Sequence, residues 1–418
     1  MKRINRRRRF VELLAPAGSL EKMKYAIEYG ADAVYCGMPD FSLRVRINQF
    51  SKGDLAKAAE YVHERKKKIY ITLNIYAHNR HIAEIKKHLK FLKKIKIDGV
   101  IVSDPGIINL VKYYLPEVDI HLSTQANATN MEAVKFWRDA GVKRVILARE
   151  ATLAEIREIR NKVKNIELEY FVHGAMCMSY SGRCILSKWM ADRSANLGDC
   201  AQPCRWSYKT ANSNQGTINK MTVKDDLNRY EMDVEEDRHG TYFFNSYDLN
   251  LIEYVSGLMD AGVASLKIEG RAKSAYYVAV VTRAYRNVID APLRKGIVAK
   301  QKAELDNLTN RGYTTGFLLG REPEHNFSGR IKKGKFEFVG EILGEKSGSN
   351  IVKVHNAIFL KDKIEIVTPG GDAAVKIKRI LNHRGREVQE AHGGHDKKYF
   401  FEFDKNFPPR SLIRREVR

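Results

Sequence analysis

The sequence predicts an α/β chain with an eight-stranded (β/α)8 barrel, followed by a small all-β domain. Through the first three quarters of the chain, apolar β-rich runs alternate with amphipathic helices, which implies right-handed βαβ units and a parallel sheet. Eight or so such strands lie between residues 10 and 270, a number and a span that suit a closed barrel. Beyond residue 335 the hydrophobic pattern changes to a period of two, which is typical of antiparallel strands.

The elements of the barrel follow one another in a regular order. Each helix is predicted to end in a small-residue turn such as Gly30-Ala31-Asp32, and the next strand begins directly after it. The predicted strands are residues 11–15, 33–36, 68–73, 118–122, 167–172 and 242–245, with further strands in the helix-to-strand junctions 97–102, 141–147 and 262–268.

The predicted parallel sheet indicates where a functional site should lie. A doubly wound sheet is the alternative fold, but no G-x-G-x-x-G turn supports it. In a TIM-like barrel the functional residues follow the carboxyl ends of the strands. This rule selects residues 15–18, 36–38, 74, 103–104, 123–127, 149–150, 173–177, 245–248 and 269–271.

The domain organisation follows from composition. Residues 1–9 form a basic arm, and no apolar h-region follows it, so it is not a secretory signal. The barrel is predicted over residues 10–320, and the polar, charged residues 205–240 are interpreted as an insertion or lid within it. Residues 321–335 suit a linker, and residues 336–418 suit a small β-barrel.

The charge of the chain indicates a class of partner. Lysine and arginine total 73 against 50 aspartate and glutamate, which gives a net charge of +23. Such a surplus favours a polyanion, first of all a nucleic acid, although a generally basic proteome is the alternative explanation. No apolar run approaches the roughly 20 residues that span a bilayer, so we expect a cytoplasmic protein with no membrane partner.

Four of the five cysteines lie in one short segment, residues 169–206. The first of these four follows directly after the predicted barrel strand 167–172. Cys177, Cys184, Cys200 and Cys204 have the spacing C-x6-C-x15-C-x3-C, whereas Cys36 stands alone. An odd cysteine count without a secretory signal argues against a disulfide scaffold. Four thiolates suit an Fe–S cluster or zinc, and only one pair is as close as structural zinc prefers. The spacing favours a cluster, with zinc or unliganded buried cysteines as alternatives.

Signals of hydrolytic chemistry are weak. Cys177 and His173 are four residues apart and would meet on one face of a helix as nucleophile and base, but no orienting third group is evident. The string His63-Glu64 lacks the second histidine of H-E-x-x-H, and G-x-S-x-G is absent.

Residues 169–187 resemble the signature of the U32 collagenase-like peptidase family at every position that the signature specifies. The resemblance extends over nearly the whole chain. Further matching segments are residues 12–18, 30–35, 72–74, 148–150, 244–249, 265–271 and 311–317.

The resemblance implies a more specific activity than the family's peptidase label. The better-understood members carry a [4Fe–4S] cluster and hydroxylate RNA or quinone precursors. This chain looks like the branch that converts the wobble uridine of tRNA to 5-hydroxyuridine with prephenate as the hydroxyl source. The string Cys-Ala-Gln-Pro-Cys-Arg-Trp at residues 200–206, the chain length and the small β-domain favour that branch over the longer ribosomal-RNA cytidine hydroxylation proteins.

The resemblance also implies a set of cluster ligands. Members differ in the fourth ligand, which some take from far downstream and others from near the N-terminus. Because no cysteine follows Cys204 in this chain, we predict that Cys177, Cys184, Cys200 and Cys204 hold the cluster, with Cys36 as the alternative fourth ligand.

Substrate contacts are predicted at the strand ends. A dicarboxylate such as prephenate needs cations, which Lys267, Arg271 and Arg149 would supply unless they form salt bridges with Glu269 and Glu150. The predicted catalytic residues are His173, Glu269 and Asn74, and the further predicted substrate contacts are His121 and Gln125. Candidate platforms for stacking a splayed-out base are Tyr76, Tyr180, Trp189 and Trp206.

Three functions remain as hypotheses. The first is a tRNA-modifying hydroxylation enzyme, with the ribosomal-RNA enzyme as a variant of it. The second is a collagenase-like peptidase. The third is a cluster-bearing RNA-binding or assembly partner without its own catalysis, and a second family member is a candidate hetero-oligomer partner.

Overall fold

The structure is a computed structural model that describes residues 10–417 except 40, 43–47, 178, 198, 207, 212–219, 226–230, 238–239, 242–245, 324–330 and 396. The described residues fall into two compact units. The first unit lies within Met1–Met23, Asp32–Lys273 and Arg311–Ile331. The second lies within Lys24–Ala31, Ser274–Asn310 and Lys332–Arg418. No helix of this described part is long and apolar enough to cross a membrane.

The first unit begins with alternating strands and helices. The strands are β1 (Glu12–Pro16), β2 (Ala33–Gly37), β3 (Lys68–Thr72), β4 (Gly99–Val102), β5 (Asp119–Leu122), β6 (Arg144–Ile146) and β7 (Glu167–Ala175). The helices are α1 (Leu20–Glu28), α2 (Lys52–Glu64), α3 (Asn79–Ile95), α4 (Pro105–Tyr114), α5 (Met131–Asp139), α6 (Leu153–Lys162) and, in the cysteine segment, α7 (Leu186–Ala191).

The sheet closes on itself. After β7 come β8 (Tyr208–Ala211), β9 (Lys220–Asp225), β10 (Glu231–Asp237), β11 (Gly240–Thr241), β12 (Asp248–Asn250), α8 (Val255–Asp260) and β13 (Ser265–Ile268). Strands β1 to β7 pair in parallel in chain order, and β13 joins both ends because it pairs in parallel with β1 and with β7. The predicted (β/α)8 barrel is confirmed.

The sequence produces this barrel because its inner strands are apolar on both faces. Strands such as β1 and β2 are buried at every position, as expected when helices cover a parallel sheet. Helix starts are fixed locally: Ser51 and Thr152 form capping boxes at α2 and α6, and Asp104 caps α4 ahead of Pro105.

Between β7 and β13, strands β8 to β11 and strand β12 are not among the parallel strands of the barrel. The predicted insertion contains an antiparallel sheet in the order β11-β10-β9-β8. Strand β12 pairs antiparallel with β7. The predicted strand at residues 242–245 lies outside the described residues, and the eighth barrel strand is β13.

The second unit combines two helices with an antiparallel sheet. Its further elements are α9 (Ala275–Asp290), α10 (Lys295–Asp306), β15 (Phe336–Lys346), β16 (Ser349–Val354), β17 (Ile358–Phe359), β18 (Ile364–Thr368), β19 (Gly371–Val375), β20 (Ile377–Leu381), β21 (Glu390–Ala391), β22 (Tyr399–Phe403) and β23 (Leu412–Glu416). Seven strands pair in the order β19-β18-β23-β15-β16-β22-β20, and β17 pairs with β21. The predicted C-terminal all-β domain is thus an antiparallel sheet domain. The remaining short strand, β14 (Tyr313–Thr314), belongs to the first unit and pairs with β12.

The helices α9 and α10 group with this sheet rather than with the barrel. Arg283 of α9 donates from Nη1 and Nη2 to the carboxylate of Asp372 at 2.6 and 3.0 Å. Tyr29, which follows α1, donates to the carbonyl of Val367 at 2.8 Å. The second unit therefore includes residues 24–31 and 274–310 in addition to the predicted domain of residues 336–418.

Candidate functional site

A large cavity opens where the barrel strands end. We call it the mouth cavity; it measures about 1330 Å³, counted to its open mouth. All predicted site residues except His121 and His173 line it. Those lining residues are Asn74, Gln125, Arg149, Cys177, Cys184, Cys200, Cys204, Lys267, Glu269 and Arg271. The carboxyl-end rule therefore located the cavity correctly, although it did not define every residue in it.

Three cationic side chains line the mouth cavity against one carboxylate, Glu269. The Arg271 side chain is 8% exposed and donates from Nη1 to Thr72 Oγ1 at 3.1 Å. The guanidinium carbon of Arg149 lies 4.2 Å from the ring centroid of Phe171. Lys267 Nζ lies 4.4 Å from the ring centroid of Tyr35. The guanidinium carbon of Arg271 lies 5.9 Å from the ring centroid of Tyr35. Each of these three cations thus lies over an aromatic ring, and the described lining of the cavity carries a positive balance that suits an anion.

A cluster of buried charges lies beneath the cavity floor. We call it the ion cluster; it consists of Glu12, Arg144, Glu169 and Lys267, each at most 4% exposed. Lys267 Nζ donates to Glu169 Oε1 at 2.8 Å. Arg144 Nη1 donates to Glu12 Oε1 at 2.6 Å and to Glu169 Oε2 at 3.1 Å. Tyr70 adds a hydrogen bond to Glu12 Oε2 at 2.6 Å. The two cations and the two carboxylates of the ion cluster balance one another, which offsets the cost of burying them.

The ion cluster determines the charge state of its members. Burial acts to raise the pKa of Glu169, but Lys267 and Arg144 outweigh it and hold that pKa below its ordinary value. Burial also lowers the pKa of Lys267, and the bond to Glu169 opposes this change. Glu169 thus favours the charged form of Lys267 at the floor of the mouth cavity, against the effect of burial. The salt bridge of Lys267 is with Glu169, and not with Glu269 as the sequence-based alternative supposed.

Amide and hydroxyl groups form a second buried group on the cavity wall. Asn74 Nδ2 donates to Gln125 Oε1 at 2.6 Å, and Ser123 Oγ donates to the same oxygen at 2.9 Å. Gln125 Nε2 returns a hydrogen bond to the Asn74 carbonyl at 2.9 Å. Both polar ends of the Gln125 amide are thus engaged within the protein, which makes Gln125 a residue that orients Asn74.

The cysteine segment is fastened to the barrel mouth by backbone and side-chain contacts. Gly182 has a φ of +77°, and a Cβ at this position would lie 2.2 Å from the Gln125 carbonyl oxygen. Tyr76 Oη donates to the Gly182 carbonyl at 2.6 Å. The Ser181 amide donates to Glu150 Oε1 at 2.8 Å. Only glycine allows this close approach without strain.

The four clustered thiols share the mouth cavity. Cys177 is exposed, Cys184, Cys200 and Cys204 are half-buried, and none of them is in a disulfide. Thiolates are the ligands that Fe–S clusters prefer, so the chemistry of the donor set suits such a group. Among the described residues, no three His, Cys, Asp or Glu side chains are already gathered as a metal site.

Cys36 differs from the other four cysteines. It lies on β2, is fully buried and is not among the residues that line the mouth cavity. Burial raises the pKa of its thiol to about 12, so it stays protonated. These properties are those of a core residue.

Two predicted site histidines are placed away from the cavity wall. His121 lies below it on β5, where its ring is 4.5 Å from that of Tyr70. Burial lowers the pKa of His121 well below its usual value, and Arg144 and Lys267 add to that effect.

His173 lies on β7 with its ring 5.6 Å from that of Tyr313. Burial lowers the pKa of His173 to about 3, so it is neutral at physiological pH. The supposed helical pairing of His173 with Cys177 is wrong because β7 extends through Ala175 as a strand.

The sequence contains a signal for the ion cluster, because Glu12, Tyr70 and Arg144 lie within predicted strands. A charged residue in an apolar strand that is covered on both faces needs a buried partner of opposite charge. Two such strands with opposite charges therefore predict a buried ion pair. Tyr35 and Phe171 also line the mouth cavity, but an aromatic residue in a buried strand does not by itself predict a place in a binding site. Of the stacking candidates, Tyr180 is exposed and lines the cavity, whereas the Trp189 side chain lies outside the described part.

A parallel barrel with a large cavity at the carboxyl ends of its strands has the arrangement of TIM-barrel enzymes. Family comparison identifies the particular group. Residues 18–328 match Peptidase family U32, and residues 335–414 match the Peptidase family U32 C-terminal domain. The chain belongs to peptidase family U32.

Relatives in this family have several described activities. The chain is 42% identical to the tRNA hydroxylation protein P of Haemophilus influenzae, over 92% of both chains. It is 36% identical to the 23S rRNA 5-hydroxycytidine C2501 synthase of Escherichia coli, over 91% of this chain but 55% of that protein. It is 31% identical to a Collagenase of Porphyromonas gingivalis, over 92% of both chains.

The ion cluster predicts that Glu169 is essential for folding. In the Glu169→Gln variant, Arg144 and Lys267 would share a single buried carboxylate, and we expect a loss of about 3–5 kcal/mol in the free energy of unfolding. Glu167 bonds to the same Arg144 but is 38% exposed, so Glu167→Gln should cost less than about 1 kcal/mol. Urea denaturation of both variants measures the difference, and equal losses would contradict the role of the ion cluster.

The Gly182 contact predicts that the cysteine segment depends on one glycine. Gly182→Ala introduces a Cβ against the Gln125 carbonyl and a strained positive φ, so the segment should detach from the barrel mouth. Hydrogen exchange followed by mass spectrometry should show faster exchange in peptides from residues 177–206. Gly296→Ala, where a Cβ meets nothing within 4 Å, is the matched control. Unchanged exchange in the Gly182 variant would show that the close approach is unimportant.

Proposed function

We propose that this chain hydroxylates tRNA, converting the wobble uridine to 5-hydroxyuridine with prephenate as the hydroxyl donor and with a [4Fe–4S] cluster. The observation that carries the proposal is the coincidence of four thiols and three cations on one barrel-mouth cavity. The tRNA hydroxylation relative matches this chain over almost its whole length, which supports the choice of RNA hydroxylation.

The hydroxyl donor is assigned to the cationic part of the mouth cavity. Prephenate carries two carboxylates, and Arg271 and Arg149 offer planar donors that suit bidentate carboxylate contacts. Lys267 adds a buried positive charge at the floor. One cavity carboxylate, Glu269, leaves enough positive charge for a dianion. Asn74 is held by Gln125 and offers an amide on the same wall.

The cluster is assigned to Cys177, Cys184, Cys200 and Cys204. When bound, a [4Fe–4S] cluster supplies one-electron redox chemistry. The protein's own contribution is to hold the thiol-bearing segment at the barrel mouth through Gly182. Cys36 is set aside because its thiol is buried outside the cavity.

The peptidase hypothesis rests on the Collagenase relative. Peptide hydrolysis by Cys177 requires a base within hydrogen-bond reach. No histidine is among the described residues that line the mouth cavity, and burial holds His173 neutral with its ring against Tyr313. These observations favour hydroxylation over hydrolysis.

Nucleoside analysis tests the proposed function. A bacterial strain that lacks its own tRNA hydroxylation protein P should gain 5-hydroxyuridine-derived nucleosides when it expresses this chain, as measured by mass spectrometry of digested tRNA. The empty vector gives the baseline. The Arg271→Gln variant should restore little, because it removes a buried cation from the donor site.

Other outcomes of this test identify the other hypotheses. A rise of 5-hydroxycytidine in 23S rRNA without a change in tRNA would favour the ribosomal-RNA variant. Collagen hydrolysis that survives iron removal would favour the peptidase. Restoration that requires a second added family member would favour the assembly partner.

Iron content tests the ligand assignment. Protein purified without oxygen should be brown, and Cys184→Ser, Cys200→Ser and Cys204→Ser should each lose most of the iron and the visible absorbance. Cys36→Ala is the matched control and should keep both, because Cys36 lies outside the cavity. Loss of iron in the Cys36 variant, with retention in the Cys204 variant, would make Cys36 the fourth ligand.

A further inference from the structure

A second cavity in the first unit lies beside the mouth cavity. We call it the side cavity; it measures about 680 Å³, counted to its open mouth. It is formed by the residues after β7 together with two segments, around Ser246 and around Thr314, to which the mouth cavity gives no role. Both segments belong to the motifs on which the family resemblance rests.

The two cavities share a wall. Cys177, Ser179 and Tyr180 line both of them. A molecule in the side cavity would therefore lie next to a molecule in the mouth cavity, separated only by the start of the cysteine segment. Neighbouring sites of this kind can hold two different molecules at the same time.

The cavities have opposite charge. The ionisable residues that line the side cavity, apart from Cys177 and its tyrosines, are Glu150 and Glu322, and within the described chain no lysine or arginine lines it. The mouth cavity has three cations against one carboxylate. A dicarboxylate or a phosphate is therefore repelled from the side cavity and attracted to the mouth cavity.

The lining of the side cavity suits a neutral, planar ring. Tyr180, Tyr247 and Phe317 present aromatic surfaces. Tyr247 is held in place because its ring lies against Gly312, where a Cβ would come within 2.7 Å of it. Aromatic side chains stack on any nucleobase, because every base has a π-face.

Polar groups of the side cavity match the edge of uracil. Uracil has one N–H donor flanked by two carbonyl acceptors. Glu150 is a carboxylate with about four acceptor positions, of which Ser181 uses part. The Thr314 hydroxyl offers a donor on the same lining. Ser246 is engaged by the protein, since its hydroxyl donates to the Met176 carbonyl at 2.8 Å.

We infer that the side cavity receives the uracil ring of a flipped-out tRNA nucleotide, while the mouth cavity holds the anionic hydroxyl donor. This inference rests on the proposed function and adds the location of the base to it. A base inside a folded loop must leave its stack to react, and a pocket with aromatic walls compensates for the lost stacking. Tyr247 and Phe317 thereby replace the tryptophans as the predicted stacking platforms.

Photocrosslinking locates the base directly. An anticodon stem-loop with 4-thiouridine at the wobble position is irradiated with the full-length protein, and the crosslinked peptides are identified by mass spectrometry. We expect crosslinks in the peptides that contain Tyr247 or Phe317, which line the side cavity alone. Crosslinks at Tyr35 or Phe171, on the mouth-cavity wall, would overturn the inference, as would crosslinks in neither cavity.

A matched pair of variants gives a second measurement. Phe317→Ala removes an aromatic wall of the side cavity and should weaken stem-loop binding at least about fivefold. Leu319→Ala, two residues further on, removes an exposed side chain that lines neither cavity and should leave binding unchanged. Prephenate binding, measured by calorimetry, should be equal in both variants. If Phe317→Ala weakened prephenate binding as much as it weakened stem-loop binding, the two substrates would not occupy separate cavities.

Failure of this inference differs from failure of the proposed function. If the chain raises tRNA 5-hydroxyuridine in the strain assay but crosslinks through the mouth cavity, only the location of the base is wrong. If the strain assay is negative and the stem-loop is not bound, the proposed function fails, and the location of the base fails with it.

Discussion

The barrel interior is organised around one buried carboxylate, Glu169. It accepts hydrogen bonds from Lys267 on β13 and from Arg144 on β6, and so connects strands on both sides of β7. Burial lowers the pKa of Lys267, and Glu169 opposes that change, so the charged form of the ammonium is favoured by this contact. The positive floor of the mouth cavity therefore depends on Glu169, and through Arg144 also on Glu12 at the far side of the cluster. A site that attracts anions is thus built into the same contacts that close the barrel.

The fold could be predicted because barrel strands and covering helices have different hydrophobic periods, and because parallel strands place their carboxyl ends together. Arg149 and Arg271 were found by this rule alone. His173 was not placed correctly, for a physical reason. Glu169 and Phe171 face inward, and strict alternation would turn His173 inward as well. The pairing of β13 with β7 shifts between Lys267 and Ile268, so that an extra residue of β7 intervenes and His173 turns toward Tyr313. The residue pattern of β7 does not predict that bulge.

His121 was misplaced for another reason, which is depth. It points into the barrel, as the alternation in β5 requires, but it lies one layer below the cavity floor beside Tyr70. Side chains inside such barrels stack in layers, and only the uppermost layer reaches a ligand. Sequence periodicity gives the direction of a side chain but not its layer. Strand β5 pairs His121 with Ile101 of β4, yet Ile101 lines the mouth cavity and His121 does not.

The net charge of +23 first suggested a polyanion and nothing more specific. The two cavities make that suggestion more specific, because cationic side chains line the mouth cavity and acidic side chains line the side cavity. Arg149 and Glu150 are neighbours in the chain, yet Arg149 lines the mouth cavity and Glu150 lines the side cavity. Ser181 hydrogen-bonds to Glu150, so the cysteine segment itself is anchored to the residue that makes the side cavity acidic. The contacts that hold the cysteine segment at the barrel mouth therefore also hold the wall that the two cavities share. Gly182, beside Ser181, permits the close approach of this segment to Gln125.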